Sequence, residues 1–162
     1  MIKLVIGLGN PETKYFKNRH NTGYIFIEEL LKRGISKSII AKKTNIFMND
    51  SGSIVKNLHD KYKISLDDLY IVHDDLDIPL GEFKIQKAVG PKLHNGISSI
   101  DEKLKNSEYW RVRIGVDARA KSDREPGEKY VLEDFEPEEE KILIEVIDKA
   151  INKLLFLVKN GQ

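Results

Sequence analysis

Histidine, aspartate and asparagine residues recur where the hydrophobic pattern of this 162-residue chain breaks off. His20 and Asp74 suggest the clearest chemistry. An imidazole is the natural base near neutral pH, and a carboxylate on its second ring nitrogen fixes its tautomer. The chain has no cysteine, and no serine lies in a nucleophile-elbow sequence. We therefore predict that the attacking group is a water molecule activated by His20.

Asparagines form a second group of candidate residues. Asn10 follows the first apolar segment, Asn49 follows Met48, and Asn95 follows His94 directly ahead of a predicted helix. An amide both donates and accepts hydrogen bonds without charge, so it can hold a peptide-like group or stabilise an oxyanion without perturbing the base. Simpler roles also fit these residues, because Asn10 is a good turn former and Asn95 a good helix cap.

Alternating strands and helices are predicted for the elements that must position these residues. Apolar and β-branched runs predict strands at 2–6, 38–41, 69–72, 83–86 and 112–116, and helical spacing predicts helices after His20, after Asp50, over 97–104 and from Pro137 onwards. This alternation indicates a single α/β domain over residues 1–162. In such sheets the loops after neighbouring strands converge on one crevice, so polar residues far apart in sequence can share a site.

The composition constrains the setting of the protein rather than its chemistry. The 27 basic and 26 acidic residues nearly cancel, so whole-chain charge does not indicate a nucleic-acid partner. No apolar run approaches the roughly 18 residues of a membrane span. The absence of cysteine and of a signal-like N-terminal segment fits a cytoplasmic protein that does not interact with membranes.

Several motifs occur in the order and approximate spacing of one family. They are 5–11 (VIGLGNP), 19–23 (RHNTG), 47–49 (FMN), 73–81 (HDDLDIPLG), 94–96 (HNG), 113–116 (RIGV) and 130–132 (YVL). In these motifs the chain resembles bacterial-type peptidyl-tRNA hydrolases, from the first strand to the start of the last helix. Separate motifs in register are far more specific than a single match.

The resemblance implies a fold and a reaction. The fold would be one three-layer α/β/α domain around a twisted mixed, mostly parallel sheet. His20 would act as general base on water, and Asp74 would orient it. The enzyme would cleave peptidyl-tRNA to free peptide and reusable tRNA as a monomer, with no metal or other cofactor.

The resemblance also implies which residues contact the substrate. The peptide and its ester would contact Asn10, Tyr15, Met48, Asn49, His94 and Asn95. Arg113 matches a position associated with the 5′-phosphate end of tRNA. Gln86 replaces a basic residue of the family, and the neighbouring Lys84 and Lys87 are expected to contact tRNA in its place.

Departures from the family pattern leave other interpretations open. Residues 88–93 read AVGPKL instead of a glycine run, which restricts the loop and leaves a non-catalytic RNA-binding relative open. Retention of His20, Asp74 and the three asparagines argues against that alternative. Gly7 and Gly9 suggest a dinucleotide-binding module, but Glu12 takes the place of its third glycine. A metal hydrolase using the acidic run 73–77 is a further alternative, although adjacent strand residues point to opposite faces.

Overall fold

One mixed sheet organises the molecule. The computed structural model describes residues 1–122 and 124–161. The strands are β1 (Lys3–Gly7), β2 (Ile39–Lys43), β3 (Leu69–Pro79), β4 (Phe83–Lys87) and β5 (Trp110–Asp117), arranged in the order β2-β1-β3-β5-β4. All neighbouring strands are parallel except β4, which is antiparallel to β5. The carboxyl ends of β1 and β3 therefore lie side by side at one edge of the sheet.

Helices cover both faces of this sheet. They are α1 (Thr22–Lys32), α2 (Ser51–Tyr62), α3 (Asn95–Leu104), the short α4 (Gly127–Tyr130) and α5 (Pro137–Lys159). Val5 packs with α1 and α5, whereas its neighbours Leu4 and Ile6 pack with α2 and α3 on the other face. This alternation follows from the two-residue period of a strand. The predicted three-layer α/β/α fold, with a mixed and mostly parallel sheet, is confirmed.

Strand β3 is much longer than its apolar pattern predicts. The pattern ends at Val72, but pairing with β5 continues through His73, Asp74 and Asp75. Strand β1 pairs with β3 only as far as Gly7 opposite Val72. The polar half of β3 therefore projects beyond the end of β1, and Asp74 lies within the strand rather than after its predicted end at Val72.

Smaller differences concern the helix surfaces. Gly34 ends α1 in the predicted left-handed conformation, with φ 71°. Leu31 and Ile142 continue the helical spacing of the apolar residues in α1 and α5, but they are 48% and 42% exposed. Within the described residues, no helix is both long and apolar enough to span a membrane.

Candidate active site

The candidate base, His20, lies on a short 3₁₀ turn (Arg19–Asn21) that leads into α1. The Thr22 hydroxyl donates to the Arg19 carbonyl at 2.6 Å, which closes the turn. The His20 ring is mostly buried, and its Nδ1 lies 3.0 and 2.9 Å from the two carboxylate oxygens of Asp74. His20 and Asp74 are 54 positions apart in sequence, so folding alone brings the predicted pair together.

A second imidazole binds the same carboxylate. His94 precedes α3, and its Nδ1 accepts hydrogen bonds from the backbone N–H groups of Gly96 and Ile97 at 3.1 and 3.3 Å. Because Nδ1 is an acceptor, the ring proton lies on Nε2, which donates to Asp74 Oδ1 at 2.9 Å. His94 is therefore a neutral helix cap that also holds the carboxylate.

The electrostatics of the pair follow from these contacts. Burial by itself would raise the pKa of Asp74, but His20 and His94 more than offset it and hold that pKa far below its usual range. Burial would likewise lower the pKa of His20, yet the Asp74 charge and hydrogen bond leave it above the usual 6.5. Asp74 is thus an anion throughout the physiological range, and its charge favours the protonated form of His20.

The neighbouring polar residues of β3 have other contacts. His73 is fully buried, its Nδ1 donates to the Asp74 carbonyl at 2.7 Å, and burial lowers its pKa to about 3. Asp75 accepts from Arg113 at 2.8 Å, and Asp77 accepts from the Lys92 backbone at 2.8 Å. The run 73–77 therefore does not converge on one metal position. Among the described residues, the group able to surround an ion is instead His20, Asp74 and His94.

A cavity of about 460 Å³ lies on one side of His20. It is lined by Asn10, Tyr15, His20, Phe47, Met48, Asn49, Asn95, Glu128, Val131 and Leu132. Asn10 Oδ1 accepts the backbone N–H of Met48 at 2.8 Å, so the amide orientation is fixed with Nδ2 as the remaining donor. The exposed Asn49 and Asn95 lie along the same cavity. All three predicted asparagines thus line one cavity, together with Tyr15 and Met48.

A second cavity, of about 420 Å³, borders the same imidazole and shares His20, Asn95, Glu128 and Val131 with the first. Leu76, Leu93, Pro126 and Val131 give it a largely apolar lining, and Asp74 and His94 also border it. His94 was predicted to contact substrate. Both of its ring nitrogens already form hydrogen bonds, to Asp74 and to the backbone of α3, so the ring carbon atoms would have to make such a contact.

The predicted tRNA contacts differ in burial and in their position on the sheet. Arg113 is buried, with Nε donating to Asp75 and Nη1 donating to Gln86 Oε1 at 2.8 Å. Its guanidinium also lies against Gly90, where an added Cβ would come within 2.3 Å of Nη2. Little of Arg113 is left to meet a phosphate, and its side chain supports the altered loop instead.

The two lysines differ from each other. Lys84 is exposed and lies beside Arg113 in the β4–β5 pairing. Lys87 pairs with Asp67, which precedes β3, so Lys87 lies near the end of the sheet opposite the two cavities. The interaction of Lys84 and Lys87 with tRNA stays a prediction, and only Lys84 lies level with the polar half of β3.

Sequence reasoning missed part of the wall of the crevice. Glu128 and Val131 line both cavities from α4 and the residue after it. Val131 belongs to the YVL motif, which was a usable signal, whereas Glu128 lies in a segment without periodicity. Asn21, quoted only as part of a motif, fixes the Asn10 loop. Its Oδ1 accepts from the Asn10 backbone N–H and its Nδ2 donates to the Asn10 carbonyl, each at 2.9 Å.

An imidazole held by a buried carboxylate beside an amide-lined cavity, on an α/β/α fold, is the arrangement that a hydrolase acting through an activated water requires. A family description, peptidyl-tRNA hydrolase, matches residues 4–162. The chain belongs to the peptidyl-tRNA hydrolase family, which confirms the resemblance noted in the motifs.

Individual relatives agree with this assignment. The peptidyl-tRNA hydrolase of Aquifex aeolicus is 38% identical, over 98% of this chain and 91% of that protein. The enzyme of Citrifermentans bemidjiense is 36% identical, over 99% of this chain and 93% of its own length. The crystal structure of peptidyl-tRNA hydrolase from Acinetobacter baumannii superposes with a TM-score of 0.83 at 27% identity, covering 98% of this chain and 89% of that one.

Proposed function

We propose that this crevice hydrolyses the ester between a peptide and the 3′ end of tRNA, with His20 as general base. The observation that carries the proposal is the Nδ1 contact of His20 with Asp74. A proton on Nδ1 is held by the carboxylate, so the lone pair lies on Nε2. Within the described residues Nε2 has no hydrogen-bond partner, and the ring borders both cavities. A water molecule at Nε2 would be correctly placed to lose a proton.

The proposed reaction has two steps, attack by water on the ester carbonyl and departure of the 3′ oxygen of tRNA. Water attacks the carbonyl carbon while His20 takes its proton, and Asp74 stabilises the imidazolium that forms. The carbon–oxygen bond to the ribose then breaks, and the imidazolium returns the proton to the leaving 3′ oxygen. Asn10 Nδ2 is the donor proposed for the oxyanion, because its amide orientation is already fixed by Met48.

The two cavities account for the two parts of the substrate. Asn49 and Asn95 offer amides to the peptide in the first cavity, and the second, more apolar cavity would take the terminal nucleoside. All these groups come from one chain, so we propose a monomeric enzyme. Because its substrate arises during translation, we also propose that it acts in the cytoplasm.

The decisive experiment compares an N-acetylated aminoacyl-tRNA with its unblocked counterpart. A cavity lined by amide donors should favour the acylated nitrogen, because the acyl carbonyl can accept their hydrogen bonds and a free amine offers no such acceptor. We expect release of N-acetyl amino acid from the blocked substrate, much slower cleavage of the unblocked one, and a loss of about 10²- to 10⁴-fold in His20→Asn.

His59→Asn is the matched control, because His59 lies on α2, away from both cavities, and its side chain bonds only to Asp60 among the described residues. It should cleave at the wild-type rate. Equal activity of His20→Asn and wild type would overturn the assignment of the base. Tight tRNA binding without cleavage by wild-type protein would favour the non-catalytic alternative.

A further inference from the structure

The residue before the base has a buried and highly constrained side chain. Arg19 is 4% exposed. Its Nη2 donates to both carboxylate oxygens of Glu139 at 2.7 and 3.2 Å, and its Nη1 donates to the Tyr130 carbonyl at 3.1 Å. The guanidinium carbon lies 3.8 Å from the centre of the Tyr130 ring. We refer to Arg19, Tyr130 and Glu139 as the Arg19 anchor.

Backbone contacts connect this anchor to the site. The N–H of His20 donates to the Val131 carbonyl at 2.8 Å, and the N–H of Arg19 donates to the Glu133 carbonyl at 3.1 Å. Val131 borders both cavities, whereas neither Arg19 nor Glu139 borders either one. The anchor therefore lies behind the catalytic turn and joins it to the wall that faces the substrate.

The geometry of the Arg19–Glu139 ion pair indicates a role in positioning neighbouring groups rather than in stabilising the fold. A buried ion pair adds little net stability compared with apolar packing, because both charges lose their hydration. Two hydrogen bonds from one guanidinium nitrogen to a carboxylate, with the ring of Tyr130 beneath, define the orientation of the arginine closely. Glu139 also lies in the first turn of α5, where the helix dipole favours a carboxylate and holds it in place.

We propose that Arg19 is a positioning residue for His20, acting through Glu139 and Tyr130 to hold the imidazole at the proper distance from Asp74 and from the cavity wall formed by Val131. This inference rests on the proposed function for its kinetic consequence only. Arg19 has no contact with substrate in this scheme, so its loss should affect turnover rather than binding.

The test uses Arg19→Met, Arg19→Lys and the milder Glu139→Gln, assayed with N-acetylated aminoacyl-tRNA. A misplacement of the base by about an ångström costs up to roughly 100-fold, so we expect kcat to fall about 10- to 100-fold in Arg19→Met with KM nearly unchanged. Arg19→Lys keeps a charge for Glu139 and should recover part of kcat. Glu139→Gln keeps the shape of the pair, so its kcat should lie between those of wild type and Arg19→Met.

A second readout does not depend on activity. The imidazole of His20 is titrated by NMR, its signal being assigned by its loss in His20→Asn. Contact with Asp74 raises the pKa of His20, so a loosened turn should move the His20 midpoint downwards in Arg19→Met. The buried pair of Lys3 and Asp68, 2.7 Å apart at the other end of the sheet, provides the control. Lys3→Met should lose stability and leave both kcat and the His20 midpoint unchanged.

The inference is overturned if Arg19→Met keeps kcat within about twofold of wild type, or if it loses activity only in proportion to its unfolded fraction, as Lys3→Met would. An unchanged His20 midpoint in both Arg19→Met and Glu139→Gln would also overturn it. If wild-type protein cleaves no peptidyl-tRNA, the proposed function fails, and the NMR titration alone then decides whether Arg19 positions His20.

Discussion

Replacing Asp74 by asparagine tests the catalytic pair through its proton positions. Asp74 accepts hydrogen bonds from His20 Nδ1 and from His94 Nε2. His94 must keep its proton on Nε2, because its Nδ1 accepts from the backbone of α3. In Asp74→Asn the amide oxygen would therefore turn to His94, and the amide N–H would turn to His20.

That arrangement gives His20 the wrong tautomer. Facing an N–H donor, Nδ1 of His20 must carry the lone pair, so the ring proton moves to Nε2 and blocks it as a base. General base catalysis contributes about 10²- to 10⁴-fold, and the same substitution in a serine protease triad costs about 10⁴-fold. We expect kcat of Asp74→Asn to fall about 10³-fold, which corresponds to about 4 kcal/mol of activation free energy.

The pH dependence of the cleavage rate provides a second, independent test. Turnover requires neutral His20, so the wild-type rate should rise with pH through the His20 pKa, which lies above 6.5. Asp74→Asn removes the charge and the hydrogen bond that raise this pKa and leaves burial, which lowers it. The acid limb of the variant should therefore move to lower pH, and the ratio of wild-type to variant rate should be smaller at acid than at neutral pH.

The assay is the pH dependence of single-turnover cleavage of N-acetylated aminoacyl-tRNA. Asp68→Asn is the matched control, because Asp68 is also buried and ion-paired, with Lys3, but lies at the opposite end of β3. It should lower the melting temperature without changing the profile. A kcat for Asp74→Asn within tenfold of wild type, or an acid limb displaced upwards, would refute the tautomer argument.

The remaining predictions concern Asn10 and metal ions. Asn10→Asp keeps an oxygen for the Met48 N–H but replaces the proposed donor with a second anion near His20. We expect kcat to fall about 10²- to 10³-fold, and the acid limb of the pH profile to move to higher pH because the new charge favours protonated His20. A rate and pH profile like those of wild type would show that Asn10 does not bind the oxyanion. His20 and His94 both hydrogen-bond to Asp74, so we expect full activity after treatment with a strong chelator and inhibition by added zinc. Activity lost to the chelator and restored by zinc would instead indicate a metal enzyme.

The grouping of His20, Asp74 and the asparagines could be anticipated from sequence because each follows an apolar strand or precedes a helix. The roles proposed for them came from the family resemblance. His20, Asp74 and Asn10 were recognisable as polar residues at such boundaries, and the order of the strands then brought them together. Periodicity says nothing about how far a strand continues once its side chains become polar. The extension of β3 beyond Val72 depends on pairing with β5 and on partners for Asp74, which lie elsewhere in the chain.

Contacts within the site were harder to predict than its members. The role of His94 as a second donor to Asp74 depends on the position of α3, and no spacing rule encodes it. Arg113 was expected to contact tRNA because it matches a family position, but its buried acidic partner, Asp75, holds the side chain inside the protein. In both cases the sequence indicates the residue type, while the partner that decides its role comes from tertiary packing.

The distance along the chain between Arg19 and Glu139 has a consequence for biosynthesis. These residues are 120 positions apart, and the His20 backbone is likewise held by the carbonyl of Val131. A nascent chain that has emerged from the ribosome only as far as β5 can already contain the base, its carboxylate and the asparagines. It still lacks the segment that secures the base. Activity should thus appear late in synthesis, when the beginning of α5 becomes available, rather than when the last catalytic residue does.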